Sequence, residues 1–508
     1  MKYTELSIII LYVMFCIILG IWAQRKISSS NAEMANYYAA GRNIGTVANS
    51  LAILAALGSG GSFMAGPGTV WQLGIPFLSW MTVGSIVGFA LASILVAKPL
   101  RNSRKVTVTE FLNDRYSDSK AIKIAVPIVI IMGSGMYLMS QMKAGGLITS
   151  YVTGLSYEWG VVIIALVFIL YVSMGGMLAV TWTNLLQGLL MIIIVLSLII
   201  AGIIHLPVSW IDFFNQATTQ NQRLGNVGAT VPVAGYLGAF VTWATAVSIT
   251  PHLVMRIFTS TNSKSAKLSL NISMLIYGIL MLGLVFLLVP FIGTLGESLL
   301  QNNPSDMWLL LIAETFFGPI IMGIIAAGIM AAVMSSTDSL LLAISSAIAY
   351  DLYKGVVNTE ADQQKTLKVS MIATWFIGLV IMLLTLNPPQ YLVVLYTGAV
   401  GFMVACLFSP MVLGIWWKKA NVSGAVSGII VGGVSFLIAF FLFEMPYNSE
   451  ILVSLPLSLV VTMVVSNFTE KPSEETLLKL EMYHKKETYN TSNERAASGV
   501  SEKANSFN

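Results

Sequence analysis

Ala55-Ala56-Leu57-Gly58-Ser59-Gly60-Gly61-Ser62-Phe63-Met64-Ala65-Gly66-Pro67-Gly68 lies inside an apolar run near residues 44–72. Gly58–Gly68 holds five glycines and one proline in eleven residues. Glycine and proline are the poorest helix formers, and proline also removes a main-chain donor. This run is therefore long enough to cross a bilayer and unable to do so as one unbroken helix. In lipid every freed carbonyl needs a partner. A break at membrane depth is tolerated where it lines a cavity, and there the carbonyls can hold a cation. Close packing through small residues would account for a lone GxxxG, such as Gly84–Gly88 or Gly424–Gly428. It does not account for Pro67 inside so dense a cluster.

The rest of the chain has the same character. Of 508 residues, 56% are hydrophobic and 10% are charged; an average soluble domain is about a quarter charged. A soluble enzyme, a nucleic-acid binder and a disordered scaffold are excluded on composition. Two cysteines, Cys16 and Cys406, both in apolar runs, encode no disulfide framework. A spanning helix needs about 20 apolar residues. Thirteen candidate runs lie near 6–23, 44–72, 75–99, 122–152, 159–174, 176–203, 234–258, 267–297, 317–350, 369–388, 391–417, 421–443 and 450–468. The first has neither a basic leader nor a small-residue cleavage site, so it reads as a span.

Positive charge sets the topology. With the N-terminus outside, all but Lys2, Arg223 and Lys143 of the 27 Lys and Arg fall on the inner side. An odd number of spans is the arrangement that gives this bias. Residues 469–508 carry six Lys/Arg and seven Asp/Glu. They read as a solvated cytoplasmic tail, largely disordered, with a helical turn or two near Glu474–Tyr483. The outer loop 204–233 is polar, with a short helix near Trp210–Phe214. The expected layout is a membrane domain over 1–468 and a hydrophilic tail over 469–508.

No GxxxxGK[ST], HExxH or GxSxG occurs, so ATP-driven and familiar hydrolytic chemistry is absent. A transporter, a channel and a sensing scaffold remain. The ninth span adds Ala331-Ala332-Val333-Met334-Ser335-Ser336-Thr337-Asp338-Ser339. Hard cations prefer oxygen ligands, and hydroxyls with unwound carbonyls supply them at little net charge. An ionisable Asp338 within a span is a functional candidate, with capping or helix bonding as its structural role.

At these residues the chain resembles the sodium:solute symporters, a family that includes proline, pantothenate, sugar, sialic acid and acetate permeases. Tyr37-Tyr38-Ala39-Ala40-Gly41-Arg42 precedes the broken span. The loop Thr107-Val108-Thr109-Glu110-Phe111-Leu112-Asn113-Asp114-Arg115-Tyr116 follows the third. Gly175 through Gln187, Pro251-His252-Leu253-Val254-Met255-Arg256 and Ala331–Ser339 complete the set. The likeness covers roughly residues 5–470. It implies an all-α, LeuT-type core of two inverted five-helix repeats, about 44–203 and 234–417. It also implies sodium as the coupling ion, with no other cofactor. The family's sodium ligands fall on the carbonyls of Ala55, Gly58 and Ala332 and the hydroxyls of Ser335 and Ser336.

Three departures stand out. Asn184 replaces an Asp of many members, which removes a possible second cation ligand or gating charge. Leu57 replaces an Asp of the proline permease. Lys143, within the fourth span, is unusual. It has three possible roles: neutralising a substrate carboxylate, pairing with an acid such as Asp338, or snorkelling outward. The substrate lining is expected from Ser59, Ser62, Phe63, Gln141, Lys143, Thr242, Trp243 and Ser248, each of which could equally serve packing. His252 reads more readily as a helix-to-helix hydrogen bond than as a proton relay. Arg256 is expected at the cytoplasmic exit or the lipid headgroups. Local likeness points to acetate and other monocarboxylate permeases, with pantothenate and proline carriers as alternatives and proton coupling as the nearer rival. The partners expected are a small solute, sodium and the lipid of a bacterial plasma membrane, with no nucleic acid and no obligate protein partner.

Overall fold

The computed structural model describes residues 2–28, 40–204, 209–300, 303–388 and 392–485. It is 84% helix, with no strand among the described residues. The motif residues Tyr37–Ala39 and the tail beyond Lys485 lie outside them.

Among the described residues eleven helices are long and apolar enough to cross a membrane, and the pair Thr46–Leu57 and Gly61–Leu73, bent by 56°, makes a twelfth. The fifth and sixth runs sit in one helical stretch, Tyr157–Ile204, of 48 residues. Straight, it would be about 72 Å long at ~1.5 Å per residue, against a hydrocarbon core of about 30 Å. Yet the hydroxyl of Tyr171 bonds that of Thr183, twelve residues on, where a straight helix would part their Cα atoms by about 18 Å. The stretch therefore doubles back between them. So divided, it gives each of the thirteen apolar runs its own helix.

Close approach explains the GxxxG pairs. A Cβ on Gly84 would sit 2.6 Å from the carbonyl oxygen of Phe240, and one on Gly88 2.4 Å from that of Trp243. The third span thus lies backbone to backbone on the seventh. Gly424 and Gly428 meet Ser466 and Thr462 in the same manner, joining spans twelve and thirteen.

The fourth span, Lys120–Thr153, separates the two ends of the bundle. At its Thr153 end, Lys2 N donates to Val152 O at 2.9 Å, and the Lys2 amine pairs with Glu314. At its Lys120 end lie two short helices, Ala97–Ser103 and Val108–Arg115. Thr107 caps the second, accepting from Glu110 N at 3.0 Å, while Glu110 accepts from Val106 N at 2.8 Å. The tail corrects the expectation of a turn or two. It forms the helix Glu474–His484, capped by Ser473, with Leu480 and Tyr483 buried against that same end. Docking buries apolar surface that a free tail would leave in water. The outer-loop helix is also longer than expected, at Trp210–Gln220.

Candidate functional site

The first half of the broken span ends where Gly58 turns out of the helix, at φ −68° and ψ 92°. Three carbonyls in a row then find hydroxyl partners. Ser335 Oγ lies 2.8 Å from Ala55 O, Ser336 Oγ 3.1 Å from Ala56 O, and Ser62 Oγ 3.3 Å from Leu57 O. Ser335 Oγ also lies 2.9 Å from Ala332 O. A hydroxyl carries one hydrogen, and two carbonyls compete for that of Ser335. One carbonyl is always left facing oxygen. Ser335 and Ser336 are wholly buried, so this concentration of oxygen dipoles is hidden from bulk water. A small cation would satisfy all of them at once.

Of the five residues expected around an ion, the structure gathers Ala55, Ala332, Ser335 and Ser336. Gly58 stands at the break beside them, its amide bonded to Leu54 O at 2.7 Å. The sequence reading missed Ala56, whose carbonyl meets Ser336. Periodicity cannot tell which carbonyls a break will free.

Beyond the break the chain re-enters a wider, π-type turn over Gly61–Ala65. Gln141 Oε1 accepts from Gly60 N at 2.9 Å, and Ser59 Oγ accepts from Gly61 N at 3.1 Å and from Tyr137 OH at 3.2 Å. Tyr137 stacks on Tyr396 with ring centroids 6.1 Å apart, and Trp243 tilts onto Tyr396 at 5.8 Å. His252 meets Tyr137 edge-on at 5.6 Å. Ser59, Gln141, Trp243 and His252 thus share one neighbourhood. Tyr137 and Tyr396 complete it, and nothing in the sequence singled them out, because an aromatic on a buried apolar helix carries no local signal. Phe63 packs back toward Gly58, 3.4 Å from where a Cβ there would lie.

Several buried polar atoms in this region have no hydrogen-bond partner: Thr242 Oγ1, Trp243 Nε1, Ser248 Oγ and both ring nitrogens of His252. For His252 this corrects the expected helix-to-helix hydrogen bond. Unsatisfied buried polar groups are uncommon and call for an explanation.

Lys143 is also corrected. It pairs with Asp306 at 3.4 Å, not with Asp338, and both side chains are buried. Asp306 Oδ2 accepts from Leu392 N at 3.3 Å as well. Asp306 sits in the short Ser305–Met307 turn, an acid outside every span, which is why the reading of the spans passed over it.

Arg256 faces neither an exit nor the headgroups. It is fully buried and donates to Thr181 Oγ1 at 2.9 Å and Ser339 Oγ at 3.1 Å. Asn184 takes the amide orientation its neighbours dictate, with Oδ1 accepting from Arg256 at 2.7 Å and Nδ2 donating to Gln187 and Val180. Asp338 is wholly buried, and neither of its carboxylate oxygens has a hydrogen-bond partner. Asn184 thus lies with Thr181 and Ser339 in a network around Arg256, one helical turn from Ser335.

Comparison with known proteins bears on the family and the fold. The profile of the sodium:solute symporter family matches residues 37–432. Sodium/proline symporter 2 of Staphylococcus saprophyticus is 28% identical over 488 residues, covering 91% of this chain and 93% of that protein. The sodium/proline symporter of Staphylococcus aureus strain JH9 is 26% identical, covering 91% and 92%. Among solved structures, an outward-open, substrate-bound Na+-coupled sialic acid symporter superposes with a TM-score of 0.77 at 20% identity, covering 92% of this chain and 98% of that one. MhsT in complex with L-phenylalanine gives 0.56 at 12% identity, covering 82% and 97%. The fold is the broken-helix one that the sequence implied. The chain is a sodium-coupled solute transporter and not an enzyme, and it belongs to the sodium:solute symporter family.

Proposed function

We propose that this protein imports a small zwitterionic solute, with proline the first candidate, and that sodium binds among Ala55, Ala56, Gly58, Ala332, Ser335 and Ser336. The observation that carries the ion site is Ser335, whose single hydroxyl hydrogen stands between two carbonyls at 2.8 and 2.9 Å. Sodium entering there lets both hydroxyls turn their lone pairs inward and ties the broken span to the ninth. An inward sodium gains about 2.3 kcal/mol per 100 mV of membrane potential. The tie sets the angle of the broken span, and with it the outward-open state. Solute then binds beside Ser59, the bundle rocks, and both leave on the other side. The proposed orientation is thirteen spans in a bacterial plasma membrane, N-terminus outside.

The side chains gathered beside the break favour a zwitterion over the monocarboxylate that local likeness had pointed to. Lys143 is engaged by Asp306, so it brings no spare charge to an acetate-like anion. The indole N–H of Trp243 and the hydroxyls of Thr242 and Ser248 can serve a carboxylate. The faces of Tyr137, Trp243 and Tyr396 can serve an ammonium. The relatives named for proline transport are consistent with this.

Uptake into proteoliposomes decides the matter. Labelled proline, acetate, pyruvate and pantothenate would be offered under an imposed sodium or proton gradient. Accumulation of proline driven by sodium is expected. Accumulation of acetate or pyruvate alone would overturn the zwitterion reading, and accumulation driven by protons alone would overturn the ion site.

A further inference from the structure

The tail helix Glu474–His484 is held by two separate sets of residues. One set belongs to the ends of spans two, three and seven. Lys98 Nζ donates to His484 O at 2.6 Å, and Asn102 Nδ2 donates to Tyr483 O at 2.9 Å and Lys485 O at 3.0 Å. The short helix bearing Lys98 and Asn102 is fastened to the end of span seven, since Arg101 donates to Ser260 O at 2.5 Å and Thr261 O at 2.6 Å. Ile44, at the start of span two, joins them by donating to Thr259 O at 3.1 Å.

The other set belongs to spans nine and eleven. The Tyr483 hydroxyl bonds the Asp114 carboxylate, and the Tyr483 ring lies 5.4 Å from that of Phe111. Ser117 and Thr476 hydroxyls are 2.8 Å apart. The His484 ring lies 4.9 Å from that of Trp416, with Nε2 3.0 Å from Ile415 O. The helix Val108–Arg115 is fastened on this side too. Thr107 donates to Asp351 at 2.8 Å, and Arg115 donates to the carbonyls of Gly414, Trp417 and Ala420 at the end of span eleven.

The same end of the bundle holds a small apolar cluster, separate from the main core: Ala40, Val106, Met177, Met255, Leu342 and Ala343, all buried. Its members come from both sides, Met255 from span seven and Leu342 and Ala343 from span nine. A water path from this end to the centre has to part them. A tail helix bonded to both sides crosses the line along which they part.

We propose that the tail helix is a strap that holds the cytoplasmic end closed, and that it must let go on one side before the apolar seal opens. This rests on the alternating-access reading above. The bonds on each side are few and lie outside the spans, most of them part-buried, so the strap can be released without unfolding the bundle. Its release would set how often the protein faces inward.

The test needs no solute, so its failure is distinct from failure of the transport reading. Cys16 and Cys406, both buried, are replaced by alanine in the full-length chain, and Ala343→Cys is introduced as a reporter in the seal. A water-soluble maleimide then reports seal opening in detergent. Labelling is expected to rise about tenfold with Tyr483→Ala, as a population shift toward the open state requires. A smaller rise is expected with Asn102→Ala, which removes one of the two side chains that donate to the tail carbonyls. Should Tyr483→Ala fail to fold, Asn102→Ala decides by itself. Rates within about twofold of the parent would overturn the strap, because a population shift of that size is negligible.

Discussion

The hydroxyl of Ser335 lies 2.8 Å from the carbonyl of Ala55, although 280 residues separate them. That contact joins the first half of the broken span to the ninth span, and it is where an ion at the proposed site would act on the angle between them. Replacing Ser335 and Ser336 by alanine removes two oxygens and leaves the carbonyls of Ala55 and Ala56 without donors. A lost hydrogen-bonding partner in a buried site costs about 1–3 kcal/mol. We expect the sodium concentration for half-maximal uptake to rise about tenfold or more, with membrane insertion intact. Sodium activation curves of the double variant check this, and an unchanged midpoint would refute the site.

The buried pair Lys143–Asp306 gives a second prediction. Removing one member of a buried ion pair costs about 3–5 kcal/mol, while replacing both by apolar groups is close to neutral. Lys143→Met should therefore lower the melting temperature sharply, and Lys143→Met with Asp306→Leu should recover most of it. Thermal unfolding in detergent reads the cycle. Full stability of Lys143→Met with loss of solute binding would instead return Lys143 to a substrate role.

Gly60 is a third test. A Cβ there would sit 2.8 Å from Ala144 Cβ and 3.1 Å from a Val333 methyl, both on short, stiff side chains. Gly60→Ala should separate the broken span from spans four and nine and cost about 1–3 kcal/mol by overpacking. Reduced uptake at saturating sodium, with a lower melting temperature, is the expected result.

Glu450 provides a pH dependence. It stands one residue before the last spanning helix, Ile451–Phe468, and burial pushes its carboxyl from the ordinary 4.5 to about 7. Below pH 4.5 both folded and unfolded chains are protonated there, and it contributes nothing. Between 4.5 and 7 the folded protein holds the extra proton, so stability falls as pH rises, and the loss is complete above 7. Glu450→Gln should match the parent in melting temperature at pH 4.5 and exceed it at pH 8. Equal melting temperatures at pH 8 would show the carboxylate to be better compensated than its burial implies.

Much of this molecule is legible in its sequence. Gly58–Gly68 breaks a span because glycine and proline cannot hold a helix, wherever they are placed. The thirteen apolar runs carry helices because in lipid the backbone must satisfy itself within each segment. Ser335 and Ser336 stood out because polar atoms deep in an apolar run are costly unless used.

What the tertiary structure alone decided are the pairings. Lys143 meets Asp306 rather than Asp338, the ring nitrogens of His252 stand without partners, Arg256 is sealed inside, and Tyr137 and Tyr396 wall the centre. None of these follows from local pattern. Hydropathy reports how much a residue resists water, and periodicity reports which face it takes. Which residue of a distant helix stands opposite is fixed only when close-packed helices settle into one arrangement. The tail shows the same division. Its charge marks it as hydrophilic, and only the end of the bundle, with Asp114, Phe111 and Trp416 in place, gives Tyr483 and His484 something to hold.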